Sequence, residues 1–309
     1  MLMKRILSVM LLALALPVPA LWAQGADALP FTRIERDPAN AALAGAGTAY
    51  AGNAAYKAFS DAALLSFYEG TLDAAVSYQR WAPASALNNN VQAGFAYKVV
   101  PALTLSAGYS LMIGQPYQGT GAYGQPTGTV QPLSHVIALG LGWRVAPKWS
   151  VGVNLRYAIE KADGLRSGFS GDISAAWQPL ASLRVMAGVS TLGTVLASED
   201  GAKYSQPASG RLGVDWAIGL ASNHTLDVMA NADVFFTGAW GVALGVQYDW
   251  KKMVFVRCGY RLASNRCVIP SHLGVGAGVH LGRFRLDVSY LTASPALGNT
   301  LSAGLGYSF

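Results

Sequence analysis

Residues 149–157 read WSVGVNLRY, with Trp149, Val151, Val153, Leu155 and Tyr157 at every second position and Ser, Gly, Asn and Arg between them. A side-chain period of two is the period of a β-strand, and here it separates an apolar face from a small, polar one. The pattern recurs along the chain from residue 71 onward. A soluble sandwich can use such strands only if their apolar faces meet in a core, whereas a closed barrel standing in a membrane turns them outward to lipid. Composition separates the two. Hydrophobic residues make up 52% of the chain and charged residues 12%, the latter about half the usual share. Yet beyond residue 23 no stretch of about 20 residues is dominated by large apolar side chains, as a spanning helix requires. Only helices and edge-free sheets satisfy their backbone in lipid, so these features together point to an all-β, transmembrane antiparallel barrel.

Alternating runs predict about fourteen strands, over 71–81, 90–100, 103–113, 131–145, 148–159, 167–178, 182–192, 208–220, 224–235, 239–250, 253–263, 271–282, 284–292 and 299–309. Most are near the length that a tilted membrane strand needs, and an even number suits a bacterial barrel. The connections alternate in character. Residues 101–102, 146–147, 179–181, 251–252 and 282–283 are tight turns, while 82–89, 114–130, 160–166, 193–207, 264–270 and 293–298 are longer and mostly rich in turn formers. Short periplasmic turns with long external loops are the asymmetry of outer-membrane barrels; the short link at 236–238 is an exception.

Parity then assigns faces. Ile137, Leu139, Leu141 and Trp143 fall outward, as do Leu212, Val214, Trp216 and Ile218, while nearly every strand charge falls inward. A Lys or Arg facing lipid at the midplane costs about 2–4 kcal/mol, which is the physical reason for such sorting. The inward set defines a candidate lumen network of Arg144, Arg156, Asp172, Arg211, Asp215, Asp227, Asp233, Arg257 and Arg261, with Arg184, Asp249, Arg285 and Asp287 on the same parity. Mixed signs in a narrow space are expected to pair with one another. Trp81, Trp143, Trp149, Trp177, Trp240 and Trp250 lie at or near strand ends, where indole rings suit the headgroup region.

Residues 1–23 carry Lys4 and Arg5, an apolar run and a small-residue exit, the pattern of a secretory signal peptide. Residues 24–70 do not alternate. They are rich in Ala, Gly and aromatics, and 54–68 reads as a short helix or two. Such a segment is expected to fold into the 71–309 barrel as a plug or hatch, with Leu43, Gly45, Gly47, Tyr50, Tyr56, Phe59, Asp61 and Phe67 as its candidate functional residues.

Catalysis finds little support, so a non-enzymatic protein without cofactor or metal is expected. His272 and His280, the only two histidines on one strand, stand eight residues apart, too far along a strand to share an ion. No nucleophile elbow or phosphate-cradling loop is present. The net charge of +6 is spread thinly, with no basic run to suggest nucleic acid. Cys258 falls on the lipid face and Cys267 in the following loop, so a disulfide needs that loop to fold back.

The LPFTRI sequence at 29–34, Asp37 and the Gly-rich 43–51 segment resemble the start of the PorV/PorQ family of outer-membrane proteins. VRCGY at 256–260, LGVGAGV at 273–279 and LDVSYL at 286–291 resemble its last strands. The resemblance covers most of the chain. It implies a barrel of the FadL type with fourteen strands and an N-terminal hatch, in the outer membrane of a Gram-negative bacterium of the Bacteroidetes. It further implies an accessory of type IX protein secretion, whose partners are membrane lipid and either the translocon or the C-terminal domains of secreted cargo. One departure stands out: the family's Asn-Pro-Ala hatch motif is replaced by Ser60, Asp61 and Ala62, the mark of a divergent paralogue. The alternative is a FadL-like transporter of hydrophobic small molecules, for which Phe235, Phe255, Tyr50, Tyr56, Phe59 and Phe67 could line a small apolar site.

Overall fold

The computed structural model describes residues 28–309, apart from 83–85, 122, 163, 195 and 198–202. The expected signal segment therefore lies outside the described residues. Fourteen strands form one closed antiparallel barrel: β1 (Leu72–Trp81), β2 (Asn88–Val100), β3 (Leu103–Ile113), β4 (Leu133–Ala146), β5 (Trp149–Lys161), β6 (Leu165–Leu180), β7 (Leu183–Gly193), β8 (Ser209–Ala221), β9 (His224–Phe235), β10 (Trp240–Trp250), β11 (Val254–Ala263), β12 (His272–Leu281), β13 (Phe284–Thr292) and β14 (Thr300–Ser308). Each strand pairs with its neighbours in sequence, and β14 closes on β1 from Asp73↔Ser308 to Arg80↔Leu301. Closure leaves no free sheet edge, which is what a sheet in lipid needs. The expected strand limits hold to within two residues. Two small hairpins inside long loops, Tyr117–Thr120 with Pro126–Val130 and Leu196–Ala197 with Lys203–Tyr204, were not expected from the pattern.

The outer wall is apolar. Ile137, Leu139, Val153, Leu155 and Leu244 are each half exposed or more, in positions that face lipid rather than protein. Trp149 stacks on Trp177 across the β5–β6 pair, ring centroids 5.5 Å apart. Trp81 departs from the expected aromatic girdle. It shares the inward parity of Asp73, Ser77 and Gln79 and is only 8% exposed, so alternation, not nearness to a strand end, decides its facing. Cys258 and Cys267 are free, the first on the outer face and the second with its thiol 3.0 Å from the Trp240 carbonyl.

Residues 28–70 wind around the inside of the wall as short helical pieces: 3₁₀ turns at Pro30–Arg33, Gly47–Ala49, Ala54–Ala58 and Ala62–Phe67, and one α-helical turn, α1 (Pro38–Ala42). Asp37 caps α1 by accepting from the Ala39 N–H at 3.0 Å. α1 packs on β11–β14, Gly47–Ala49 on β7–β9, Ala54–Ala58 chiefly on β1–β3 and Ala62–Phe67 chiefly on β4–β6. The helices anticipated over 54–68 are thus two 3₁₀ stretches, each too short to satisfy its own backbone.

Candidate functional site

The inner wall seats this segment through glycines. A Cβ on Gly213 would fall 3.0 Å from the Ala49 nitrogen and the Thr48 Cβ, and one on Gly245 would fall 3.0 Å from Leu43 and Ala46. At Gly152 and Gly259 the clash would be with backbone, of Ala62 and Ala63 in one case and of Leu43 in the other. Leu43 is fully buried on Gly245 and Gly259.

Polar wall residues supply the hydrogen bonds that the short turns cannot make internally. The Ala62 N–H donates to Asn154 Oδ1 at 3.1 Å, and Asn154 Nδ2 donates to the Lys57 and Ala58 carbonyls at 2.8 and 2.9 Å. Ser150 donates to the Ala63 carbonyl at 2.5 Å, and the Ala55 N–H donates to Asp73 at 2.7 Å.

The candidate charge network resolves into separate groups. Arg156 pairs with Asp172 at 2.5 Å and also donates to the Phe59 carbonyl. Asp233 accepts from Arg211 and Arg261, each at 3.0 Å, and Arg33 of the lumenal segment stands 3.7 Å away. Arg211 also reaches Asp61 at 2.8 Å. Arg184 pairs with Asp215 at 3.2 Å, and it and Arg144 lie over the Phe67 ring; Arg144 donates to the Ser66 carbonyl. Arg257 pairs with Asp287 at 2.6 Å and donates to Gln247, which in turn donates to Asp227 at 2.8 Å. Arg285 pairs with Asp73. Asp73, Gln247 and the segment's own Arg33, Arg36 and Glu35 were missed as site residues. For Arg33, Glu35 and Arg36 a signal was available in the clustering of four charges within residues 33–37, and for Asp73 in its inward parity on β1.

Asp61 stands where the Asn-Pro-Ala motif of the PorV/PorQ family, which the segment resembles, has proline. Its backbone is left-handed, with φ 60°, a region closed to proline, whose ring holds φ near −65°. Its carboxylate ties the segment to β8 through Arg211. Leu29, Ala44 and Asn53 are also left-handed. Non-glycine residues in that region cost about 1–3 kcal/mol each, so the wall imposes this conformation on the segment.

Above the segment, toward the long loops, lies a cavity of about 100 Å³. Ile34, Tyr56, Phe59, Trp81, Phe235, Ile269 and Leu291 form its apolar lining, and Gly45 opens onto it. Of the aromatics proposed to line an apolar site, Tyr56, Phe59 and Phe235 meet there; Tyr50 packs beside Leu43 and Met229, Phe67 under Arg144 and Arg184, and Phe255 against His280. Gly47 holds the segment's own fold by donating to Asn40 Oδ1 at 2.8 Å. Among the described residues no His, Cys, Asp and Glu cluster suits a metal ion.

Burial, reinforced by the charges of Asp287 and Glu35, pushes the Asp37 carboxyl up to about 7. A raised folded value means that the folded state keeps a proton which the unfolded chain gives up above about pH 4. Stability from this group is therefore present in acid and lost as pH rises from about 4 to about 7. Asp37→Asn is expected to flatten that slope, because an amide oxygen still accepts from Ala39 and Asn53. Urea midpoints at pH 5 and pH 8 check this; equal slopes in both proteins would rule it out.

No protein-family model matches the chain, and no curated protein matches it in sequence. Solved structures do match in fold. The CymD monoaromatic hydrocarbon channel superposes with a TM-score of 0.63 at 12% identity, covering 88% of this chain and 97% of that one. The Pseudomonas putida toluene transporter TodX gives 0.56 at 13% identity, covering 85% and 96%. A Pseudomonas aeruginosa FadL homologue gives 0.54 at 10% identity, covering 88% and 95%. The fold is that of FadL-like outer-membrane barrels. These three structures lend nothing to the PorV/PorQ assignment.

Proposed function

We propose that this protein is an outer-membrane channel for small hydrophobic molecules in a Gram-negative bacterium, with residues 28–70 as its hatch. The observation that carries the reading is the cavity between hatch and wall, lined in part by Tyr56, Phe59, Trp81 and Phe235. A concave site that combines aromatic and aliphatic side chains with convergent polar groups is the usual form of a small-molecule site, and here the polar share is large. The solved barrels of like fold, two of them named for monoaromatic hydrocarbons or toluene, agree with it. The lipid-facing belt supplies the membrane environment. The secretion-accessory reading, with translocon or cargo as partner, rests on sequence motifs alone; no geometry of the described residues favours it.

Uptake of labelled toluene by a Gram-negative host with an intact lipopolysaccharide leaflet tests the reading, because that leaflet slows hydrophobic solutes. Expression of the protein is expected to raise the initial uptake rate several-fold over an empty vector. An unchanged rate with correctly inserted protein would refute it.

A further inference from the structure

The outer wall carries a hollow. On the lipid face of β13, β14, β1 and β2 lies a groove of about 350 Å³, lined by the side chains of Ala74, Val76, Ala93, Phe284, Leu305 and Tyr307. Register explains it. Ala74 stands between Tyr307 on β14 and Phe95 on β2, so a single methyl group separates two rings, and one pleat further along Ala93 stands beside Val76. Phe284 extends the Tyr307 side, its ring edge-on to Tyr307 with centroids 5.3 Å apart. The wall behind the groove is backed from the lumen: a Cβ on Gly94 would meet the Ala55 backbone, and one on Gly306 the Arg285 side chain. The groove is therefore closed toward the hatch and open to the bilayer.

One end of it carries a cation. Arg283, in the tight turn between β12 and β13, is exposed; its Nη1 donates to the Tyr307 hydroxyl at 3.2 Å, and its guanidinium lies over the Phe309 ring, 4.1 Å from the centroid. Because Tyr307 also lines the groove, the guanidinium is held at its rim. Among the described residues no carboxylate stands within ion-pair distance of Arg283. A cation stacked on strand-end aromatics belongs at headgroup level. The short turns mark that level as periplasmic, where the leaflet is phospholipid rather than lipopolysaccharide.

We infer that this groove seats one anionic phospholipid of the inner leaflet, with an acyl chain lying over Ala74 and Ala93 and the phosphate on Arg283. The groove has more than twice the volume of an engineered apolar cavity of about 150 Å³ that holds benzene, so it takes a stretch of chain. A chain laid there restores the dispersion contacts that a void forfeits. The guanidinium chooses the headgroup, since its hydrogen bonds to phosphate are charge-assisted and can be bidentate. Phosphatidylethanolamine brings its own ammonium to that phosphate and competes with Arg283; phosphatidylglycerol does not. The lipid would cover the β14–β1 seam, the pair by which the barrel closes. Lys251 is an internal comparison: it too lies over a ring, that of Trp250 at 5.1 Å, but Trp250 is no part of the groove. The inference concerns the outer wall and does not depend on what passes through the lumen.

Native mass spectrometry of the full chain, released from an uncharged detergent and titrated with dioleoyl phosphatidylglycerol or dioleoyl phosphatidylethanolamine, tests it. One saturating adduct is expected with the glycerol lipid, about tenfold tighter than with the ethanolamine lipid. Arg283→Gln is expected to bring the two lipids to equal affinity, Arg283→Lys to keep part of the preference, and Lys251→Gln to leave it intact. Ala74→Leu, which fills the groove with a side chain suited to a lipid-facing wall, is expected to cut both affinities about tenfold, because the chain then has no room. Heat-modifiable gel mobility shows which variants have folded; if none has, the ratio of the two lipids on the unaltered protein decides. Many weak adducts without preference overturn the inference. So does a preference for the glycerol lipid that survives both Arg283→Gln and Ala74→Leu. A dimer that excludes the lipid and is lost in Ala74→Leu overturns it as well, and gives the groove to a second copy of the chain.

Discussion

Asp233→Ala is expected to lower the stability of the hatch-bound barrel by about 3–5 kcal/mol, the usual cost of removing one partner from a buried ion pair. Asp233 is 2% exposed and accepts from Arg211, Arg261 and Asn231, with Arg33 close by. Its loss strands Arg261 altogether and leaves Arg33 without its nearest countercharge; Arg211 keeps Asp61. Because Arg33 and Asp61 belong to the hatch and the other residues to β8, β9 and β11, the defect falls on the hatch–wall contact. Urea unfolding followed by heat-modifiable gel mobility measures it. Adding Arg261→Leu is expected to recover part of the loss, since an unpaired buried charge is then removed. A change below about 1 kcal/mol would show that these charges are solvated rather than buried against each other.

Valine at Gly152 and Gly259 is expected to unseat the hatch while the barrel stays closed. The added side chains would meet the backbone of Ala62, Ala63 and Leu43 rather than a side chain that can swing aside. Overpacking costs about 1–3 kcal/mol per site and more where the neighbour cannot yield. Two such clashes on opposite sides of the lumen exceed what a segment of 3₁₀ turns with several left-handed residues can absorb. Trypsin is expected to reach Arg33, Arg36 and Lys57, which in the native protein lie buried or nearly so, and toluene uptake is expected to rise above the unaltered level. Gly219→Val, where a Cβ meets open space, is the control. Protection of the three basic residues in the double variant would sink the seating argument.

The Asp233 cluster shows why the site was only partly readable. Arg211 and Asp233 share the inward parity of adjacent hairpin strands and stand opposite each other in register, so their pairing follows from local alternation. Asp61 and Arg33 reach the same cluster from 150 or more residues away in sequence, and no spacing rule connects them to it. Parity also carried Trp81 inward although its place near a strand end suggested the interface. The likeness to PorV/PorQ proteins rested on glycines and alternating apolar residues. Any barrel with a closely packed hatch needs those features, so they report on packing more than on role.

Alternation with a period of two, absence of a spanning helix beyond residue 23, and the sorting of turns and charges determined by themselves a closed fourteen-stranded membrane barrel with a small, polar inner face. These are local properties, legible because lipid outside and a filled lumen inside act on every strand in the same way. Where the hatch rests, which buried charges it shares with the wall, and that a cavity remains beside it were decided only by tertiary structure. They depend on contacts between residues 28–70 and strands drawn from nearly the whole circumference, and the positions of those strands relative to one another exist only once the barrel has closed.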